Sequence, residues 1–157
     1  MRLFVTVGSQ LPFDRLIEAV DAWALGSKHE LFAQIGRSKF SPANMDFNQL
    51  MDTDAYEKRI HWADVIIGHA GIGTVISALE SATPLVSLPR LVAFKEVVTE
   101  HQVPTGKWLK ETSLATVFDT AEELVAYLED LHQAPPAAER HSPSPALLNA
   151  IEDFIRG

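Results

Sequence analysis

The chain has 157 residues, 46% of them apolar, and its 13 Lys and Arg against 21 Asp and Glu give a formal net charge of −8. This size and composition predict one globular domain that buries roughly two-thirds of the surface of its unfolded chain. The acidic balance argues against nucleic acid or an anionic membrane surface as a partner, because both are bound through clustered Lys and Arg. The absence of cysteine excludes disulfides, thiolate zinc sites, iron–sulfur clusters and cysteine nucleophiles, and is typical of a reducing compartment.

No segment of the sequence is predicted to direct the chain into a membrane. The N-terminus becomes polar after a short apolar run, which does not fit a leader peptide. The most apolar stretch, 65–79, is interrupted by glycine, histidine, threonine and serine and falls short of the roughly 20 apolar residues that span a bilayer. We therefore expect a cytoplasmic protein that has no membrane span of its own.

Apolar periodicity predicts that strands and helices alternate along the chain. Runs of β-branched and other apolar residues predict strands at 3–7, 31–35, 45–50, 64–68, 85–88 and 115–118. Apolar residues at helical spacing predict helices at 12–23, 54–62, 72–81, 96–110 and 121–131. Pro104 is expected to kink or split the helix over 96–110. The alternation predicts an α/β fold: a Rossmann-like parallel sheet with helices on both faces.

The end of the chain is predicted to be organised differently. The segment 134–145 contains four of the nine prolines, a composition typical of a linker. Helical periodicity then resumes. The sequence therefore predicts a Rossmann-like domain at 1–133, a proline-rich linker at 134–145 and a C-terminal helix at 146–157.

The first candidate ligand loop is Gly8-Ser9-Gln10, which follows the first predicted strand. In an open parallel sheet the ligand lies beyond the carboxyl ends of the strands. Glycine permits close approach of the backbone, and the two polar side chains are hydrogen-bond donors. The loop matches neither the dinucleotide fingerprint nor the P-loop. We therefore expect neither a nicotinamide dehydrogenase nor a P-loop ATPase.

The second candidate loop is His69-Ala70-Gly71-Ile72-Gly73-Thr74, between a predicted strand and a predicted helix. Free backbone N–H groups, the Thr74 hydroxyl and the positive end of the helix dipole suit a phosphate. The alternative is that the glycines only form the turn and Thr74 only caps the helix. His69 is an acid–base candidate, although a histidine at a strand end is more often structural.

Further polar residues follow the fifth predicted strand. Arg90 is suited to offset the charge of a diphosphate, and Glu100, His101 and Gln102 offer donors and acceptors for sugar hydroxyls. The alternatives are a solvated arginine and an ordinary helix N-terminus. The histidines of the chain lack metal-ligand spacing, so no metal site is predicted.

Six groups of residues form an ordered pattern that is specific when taken as a whole. They are Phe4-Val5-Thr6-Val7-Gly8 with Phe13-Asp14-Arg15-Leu16-Ile17, Gln34-Ile35-Gly36-Arg37-Ser38, Ala63-Asp64-Val65-Ile66-Ile67-Gly68-His69-Ala70-Gly71-Ile72-Gly73-Thr74, Pro84-Leu85-Val86, Leu88-Pro89-Arg90 and Glu100-His101-Gln102. The pattern resembles the glycosyltransferase family 28 C-terminal domain, over about residues 2–110. Stand-alone members of that family, from asparagine-linked glycosylation and from bacterial exopolysaccharide and capsule assembly, are the most similar.

The resemblance implies the donor half of a GT-B glycosyltransferase, in which two Rossmann-like domains face each other across a cleft. The chain is expected to bind a UDP-sugar without a metal or other cofactor. A separate membrane-anchored subunit is expected to bind the acceptor and to recruit the chain to the membrane, with the terminal helix docking on it. A homo-oligomer is compatible with the same interpretation. The implied reaction inverts the anomeric carbon with a base in the acceptor half, and His69 and His101 are less favoured candidates for that base.

The resemblance also implies which residues form the binding site, because they occupy the positions of the family's motifs. The nucleotide-sugar-binding residues are Gly8, Ser9, Gln10, His69, Gly71, Ile72, Gly73, Thr74, Arg90, Glu96, Glu100, His101 and Gln102. The loops 8–10 and 71–74 are expected to surround the diphosphate, and 100–102 to face the sugar. Two positions depart from the pattern: Ser77 stands where many relatives have a ribose-binding glutamate, and Val97 where polysaccharide relatives often have histidine. Alternatives are a non-catalytic subunit that stabilises or regulates a partner glycosyltransferase, and an unrelated nucleotide-binding fold.

Overall fold

The computed structural model describes residues 1–132 and Pro135. Their strands are β1 (Arg2–Thr6), β2 (Glu30–Gln34), β3 (Asp46–Asn48), β4 (Val65–Gly68), β5 (Leu85–Ser87) and β6 (Thr116–Val117). Their helices are α1 (Asp14–Ala24), α2 (Thr53–Trp62), α3 (Ile72–Ser81), α4 (Gln102–Glu111) and α5 (Ala121–Glu129). All strand pairs are parallel. The predicted α/β class is thereby confirmed.

The strand order of the sheet is β3-β2-β1-β4-β5-β6. The chain builds outwards from β1 to β3, then crosses to the other side of β1 and adds the remaining strands. Thr6, at the end of β1, pairs with Gln34 on one side and with Gly68 on the other. The loops after β1 and β4 lead to helices on opposite faces, and the crevice between them is where ligands bind in sheets of this kind.

Both faces of the sheet carry an apolar core. Leu3 and Val5 face the side covered by α1 and α5, and Phe4 between them faces the side covered by α2, α3 and α4. On the first side α1 packs against α5, and on the second α2 packs against α3. Burial on both faces explains why the central strands read as continuous apolar runs.

The helix predicted over 96–110 starts later than expected, and that prediction is wrong for its first turns. Residues 91–101 form a loop with a 3-10 turn at Val92–Phe94, and α4 begins at Gln102. Pro104 lies in the first turn of α4, where its missing N–H removes no helical hydrogen bond. It therefore neither kinks nor splits the helix.

The strands at both edges of the sheet are shorter than predicted. β3 occupies three residues of the predicted 45–50, all of them exposed, and β6 has two residues within the predicted 115–118. Edge strands contact one neighbour only, so apolar patterning defines their ends poorly. The predicted number of strands is nevertheless confirmed within the described residues.

The predicted linker at 134–145, apart from Pro135, and the predicted helix at 146–157 lie outside the described residues. Both stay predictions. Within 1–132 and at Pro135, none of the helices has the length and apolar character that crossing a bilayer requires.

Candidate functional site

A cavity of about 530 Å³ opens at the crevice between the loops after β1 and β4. We refer to it as the main cavity. Its size suits a ligand larger than a single sugar or phosphate. The sequence-predicted residues that line it are Gly8, Ser9, Gln10, His69, Gly71, Ile72, Gly73, Thr74, His101 and Gln102. Residues from three separate loops are thus brought to one place.

The loop after β1 presents backbone to the main cavity. Gly8 has a φ of +72°, in the left-handed region that favours glycine. Ser9 and Gln10 follow it with exposed side chains. The hydroxyl and amide groups of this loop are therefore available to a ligand.

The loop after β4 delivers the N-terminus of α3 to the other side of the cavity. Gly71 is the N-cap residue; it provides no side-chain cap, and the first turn of α3 contains no acidic residue. By contrast, the side chains of Asp52 and Thr120 cap α2 and α5. The N–H groups of the first turn of a helix have no partners within the helix, and at α3 they lie beside the cavity. Together with the helix dipole they suit an anion.

His69 lies between the two loops. A Cβ at Gly71 would overlap the Nε2 of its imidazole, and a Cβ at Gly8 would lie 3.3 Å from its Cε1. Among the described residues its buried Nδ1 has no hydrogen-bond partner. Burial, and secondarily the positive charge of Arg90, lower the pKa of His69 to about 3. The ring is therefore neutral at neutral pH, and its low pKa makes it a weak proton acceptor, which argues against its action as a general base.

Arg90 lies under the loops rather than in the main cavity. Its guanidinium donates to the carbonyls of Pro12, Glu96 and Val7, at 2.9, 2.8 and 2.6 Å, and the side chain is only 4% exposed. Burial lowers its pKa to about 10, so it stays charged at neutral pH. Through these hydrogen bonds Arg90 stabilises the loop after β1. It is not placed as a free cation over a diphosphate.

Glu96 is likewise engaged inside the chain. Its carboxylate accepts two hydrogen bonds from Arg15 of α1, both at 2.9 Å, and one from the backbone N–H of Leu91 at 3.0 Å. Glu96 and Arg90 line a second, smaller cavity of about 90 Å³ next to the main one. The pair between Glu96 and Arg15 fixes the 91–101 loop against α1.

Residues 100–102, which lead into α4, differ in how they are placed relative to the two cavities. His101 is exposed and lines both cavities, and its Nδ1 lies 2.7 Å from the Thr99 hydroxyl oxygen. Gln102 is buried, and its amide oxygen accepts from the backbone N–H of Arg90 at 3.1 Å. Glu100 is exposed and lines neither cavity. His101 and Gln102 are thus in reach of a ligand in this arrangement.

Sequence patterns did not predict all the residues that line the main cavity. The others are Gln34, Leu50, Met51 and Tyr56, together with Ser77 of α3. Gln34 is part of the family pattern but is not among the predicted site residues, and Tyr56 lies in a predicted helix. Their place at the cavity depends on the packing of α2 and the 49–52 loop, which local spacing does not encode. Ser77, whose hydroxyl donates to the Gly73 carbonyl at 3.0 Å, is one of the two positions that depart from the family pattern.

Comparison with known families decides how this cavity is interpreted. The model for the glycosyltransferase family 28 C-terminal domain matches residues 2–155. The chain belongs to this family. The match continues past residue 110, where the resemblance in the sequence ended, and covers the predicted linker and most of the predicted terminal helix.

Curated relatives point to the same domain. The chain is 33% identical over 118 residues to the UDP-N-acetylglucosamine transferase subunit ALG13 of Homo sapiens, and 31% identical over 120 residues to that of Mus musculus. These matches cover 68% and 69% of this chain but 10% of each relative. The chain therefore spans about a tenth of the length of the curated relatives it matches.

Solved structures confirm the fold. The chain superposes on Acinetobacter baumannii MurG with a TM-score of 0.65 at 22% identity, which covers 98% of this chain and 49% of MurG. The glycotransferase of kitacinnamycin gives a TM-score of 0.65 at 24% identity. The superposition covers 99% of this chain and 42% of the kitacinnamycin enzyme. An NMR structure of ALG13 gives 0.59 at 19% identity, with 94% of both chains covered. The fold is that of one half of a GT-B glycosyltransferase.

Proposed function

We propose that this chain binds a UDP-sugar and supplies the donor half of a two-component inverting glycosyltransferase, which acts in exopolysaccharide or lipid-linked oligosaccharide assembly. The observation that carries the proposal is the uncapped N-terminus of α3 beside the Gly8 loop, in one cavity. Membership of glycosyltransferase family 28 supports a glycosyl donor as the ligand. The relatives named as subunits of a UDP-N-acetylglucosamine transferase support UDP as the nucleotide and a partner as the other half.

In this proposal the diphosphate lies over the first turn of α3. The helix dipole places roughly half a positive charge there, and the N–H groups of Ile72, Gly73 and Thr74 face the ligand. Negative charge builds up on the departing nucleoside diphosphate in the transition state. Donors that are already oriented towards that charge lower the barrier, and such electrostatic stabilisation is often the largest contribution to catalysis.

Neutral His69 fits a positioning function in the same scheme. A neutral imidazole donates or accepts a hydrogen bond without adding a charge. Since its pKa is lowered to about 3, we assign the catalytic base to the acceptor-binding partner. His101 and Gln102, at the junction of both cavities, then contact the donor sugar.

A partner is proposed because the curated relatives are named as subunits of a transferase. The remainder of such an enzyme binds the acceptor, and we assign it to a membrane-anchored subunit that also recruits this cytoplasmic chain. Near the cavities, the 91–101 loop exposes the apolar side chains of Val92, Phe94 and Val98. Exposed apolar groups next to a site suit a protein contact.

Gly73 offers a sharp test of the diphosphate site. A Cβ at Gly73 meets nothing within 4 Å, so larger side chains are accommodated by the fold. Calorimetric titration with UDP and a panel of UDP-sugars should show saturable binding to the wild type. We expect Gly73→Glu to weaken UDP binding at least about tenfold more than the equally long but neutral Gly73→Gln, because a carboxylate repels the diphosphate.

Equal effects of the two substitutions would show that the diphosphate lies elsewhere. A wild-type chain that binds none of the UDP-sugars would favour the accessory-subunit alternative. The observation that supports this alternative is Ser77, which lines the cavity in the place of a ribose-binding glutamate.

The two-component proposal has its own test. The purified chain should bind the donor but transfer no sugar to a lipid-linked acceptor until the acceptor-binding subunit is added. Thin-layer separation of radiolabelled product would measure this directly. Transfer by the chain alone would overturn the two-component proposal while leaving the donor site intact.

A further inference from the structure

Gln34, at the carboxyl end of β2, has its amide in contact with two loops of the main cavity. The amide oxygen accepts from the Thr6 hydroxyl at 2.9 Å and from the Gly8 N–H at 3.1 Å. The amide nitrogen donates to the carbonyls of Gly8 and Gln49, both at 3.0 Å. Two acceptor and two donor positions are thus all used, on a side chain that is only 4% exposed.

The contacts with Gly8 are unusual because both its N–H and its carbonyl bind the same amide group. This arrangement fixes the peptide planes on either side of Gly8, whose φ of +72° is accessible to glycine at low cost. Gly36 supports the same point from the opposite side, because a Cβ at Gly36 would collide with the Gly8 carbonyl oxygen. The loop after β1 is therefore locked in one conformation by residues of β2 and its following turn.

The hydrogen bond from the Gln34 amide to the Gln49 carbonyl fixes a second loop in the same way. Gln49 precedes Leu50 and Met51, which form the wall of the main cavity opposite α3. In addition, the backbone N–H groups of Ile35 and Gly36 donate to the carbonyls of Asn48 and Gln49, at 2.9 and 2.7 Å. The side chain of Gln34 is the group that joins this wall to Gly8 itself.

We propose that Gln34 is a positioning residue for the nucleotide, which sets the distance between the Gly8 loop and the Leu50–Met51 wall. The inference rests on the proposed function, since it assumes that a nucleoside diphosphate occupies the main cavity. It adds a residue that touches no ligand atom in this scheme but orients the backbone donors that do. Donors displaced by even a fraction of an ångström bind less well, because hydrogen bonds depend steeply on geometry.

Gln34→Glu is the most direct test. The substitution keeps the shape and the acceptor oxygen, but it replaces the NH2 that faces the carbonyls of Gly8 and Gln49 with an oxygen. Gln34→Met, of similar length and without charge, removes all four bonds and serves if the glutamate variant does not fold. Thr6→Val is the matched control, because it removes one bond to the same amide and none to either loop.

UDP affinity and melting temperature should be measured on all four proteins. We expect Thr6→Val to lower the melting temperature and leave UDP affinity within twofold of the wild type. We expect Gln34→Glu and Gln34→Met to lower UDP affinity about tenfold or more at a temperature at which each is folded. A folded Gln34 variant that binds UDP within twofold of the wild type would overturn this inference alone. Absence of UDP binding to the wild type would instead overturn the proposed function.

Discussion

His69 illustrates how a single side chain can be constrained by its backbone neighbours. Its ring fits against Gly8 and Gly71, where a side chain on either residue would crowd it. The same enclosure removes water from the ring, so the imidazolium form is disfavoured. The histidine of the loop after β4 is thereby kept neutral by its burial and by the nearby positive charge of Arg90.

We expect His69 to make the protein less stable in acid. An unfolded histidine has a pKa near 6.5, whereas in the folded chain the pKa of His69 is about 3. Between these values the unfolded state binds a proton that the folded state does not, so the free energy of unfolding falls as the pH falls. The slope approaches about 1.4 kcal/mol per pH unit. Above the unfolded pKa both states are neutral and the contribution vanishes.

Urea unfolding of the wild type and of His69→Gln, from about pH 7 to about pH 5, would measure this slope. The variant loses packing at every pH. The informative quantity is therefore how the difference in free energy of unfolding between the two proteins changes with pH. As the pH falls, the free energy of unfolding of the variant should decrease less than that of the wild type. A difference that is independent of pH would mean that His69 titrates alike in both states.

At this scale the sequence reveals local groupings and misses distant ones. The neighbourhood of His69, Gly71 and Thr74 could be predicted because a strand and a helix flank one short loop. Gln34 could not, because its partner Gly8 is 26 residues away and its partner Gln49 is 15 residues away. Only the pairing of β2 with β1 on one side and with β3 on the other brings these groups together.

The 91–101 loop is an element that a largely buried ion pair helps to hold in place. Glu96 has a 6% exposed side chain and binds Arg15, whose side chain is 19% exposed, through both carboxylate oxygens. Arg15 also donates to the Pro89 carbonyl at 2.9 Å. Because Leu91 donates to the same carboxylate, the pair closes the loop at its start and at its middle.

We expect Glu96→Gln to lower the free energy of unfolding by about 3 kcal/mol, since it leaves the Arg15 charge partly buried without its counter-ion. The control is Glu111→Gln, which breaks the pair with Lys107 on α4, where the side chains are 62% and 77% exposed. That change should cost less than about 0.5 kcal/mol. Urea titrations measure the loss in free energy of unfolding for each variant. Equal losses would show that the pair between Glu96 and Arg15 stabilises the fold no more than the exposed pair does.

The same ion pair explains the main error in the predicted elements. Residues 96–110 have the composition of a helix, and helical propensity is local. Glu96, however, is held by Arg15 from α1, a contact across 81 residues, so the chain becomes helical only at Gln102. Tertiary contacts outweigh a propensity of a few tenths of a kcal/mol per residue. Elsewhere α3 begins and ends as the pattern predicts, and α1, α2 and α5 do so to within two residues.

At the scale of the whole molecule, the loops of the main cavity are held in place by residues that are buried in the fold. The main cavity lies where the chain changes direction in the sheet, and its walls are loops anchored by buried residues such as Arg90 and Gln34. A ligand that bridges these loops binds the folded state and not the unfolded chain. Ligand binding should therefore stabilise the entire domain by mass action.

We expect UDP at about 100 times its dissociation constant to stabilise the folded chain by about 2.7 kcal/mol. For a domain of this size that corresponds to a rise of about 5–10 °C in melting temperature. Differential scanning fluorimetry can follow it, with uridine as the control ligand that lacks the diphosphate and Gly73→Glu as the control protein. Because the diphosphate is assigned to the N-terminus of α3, UDP should raise the melting temperature far more than uridine at equal concentration. The difference should disappear in Gly73→Glu, and equal shifts with UDP and uridine would place the binding energy in the nucleoside, away from α3.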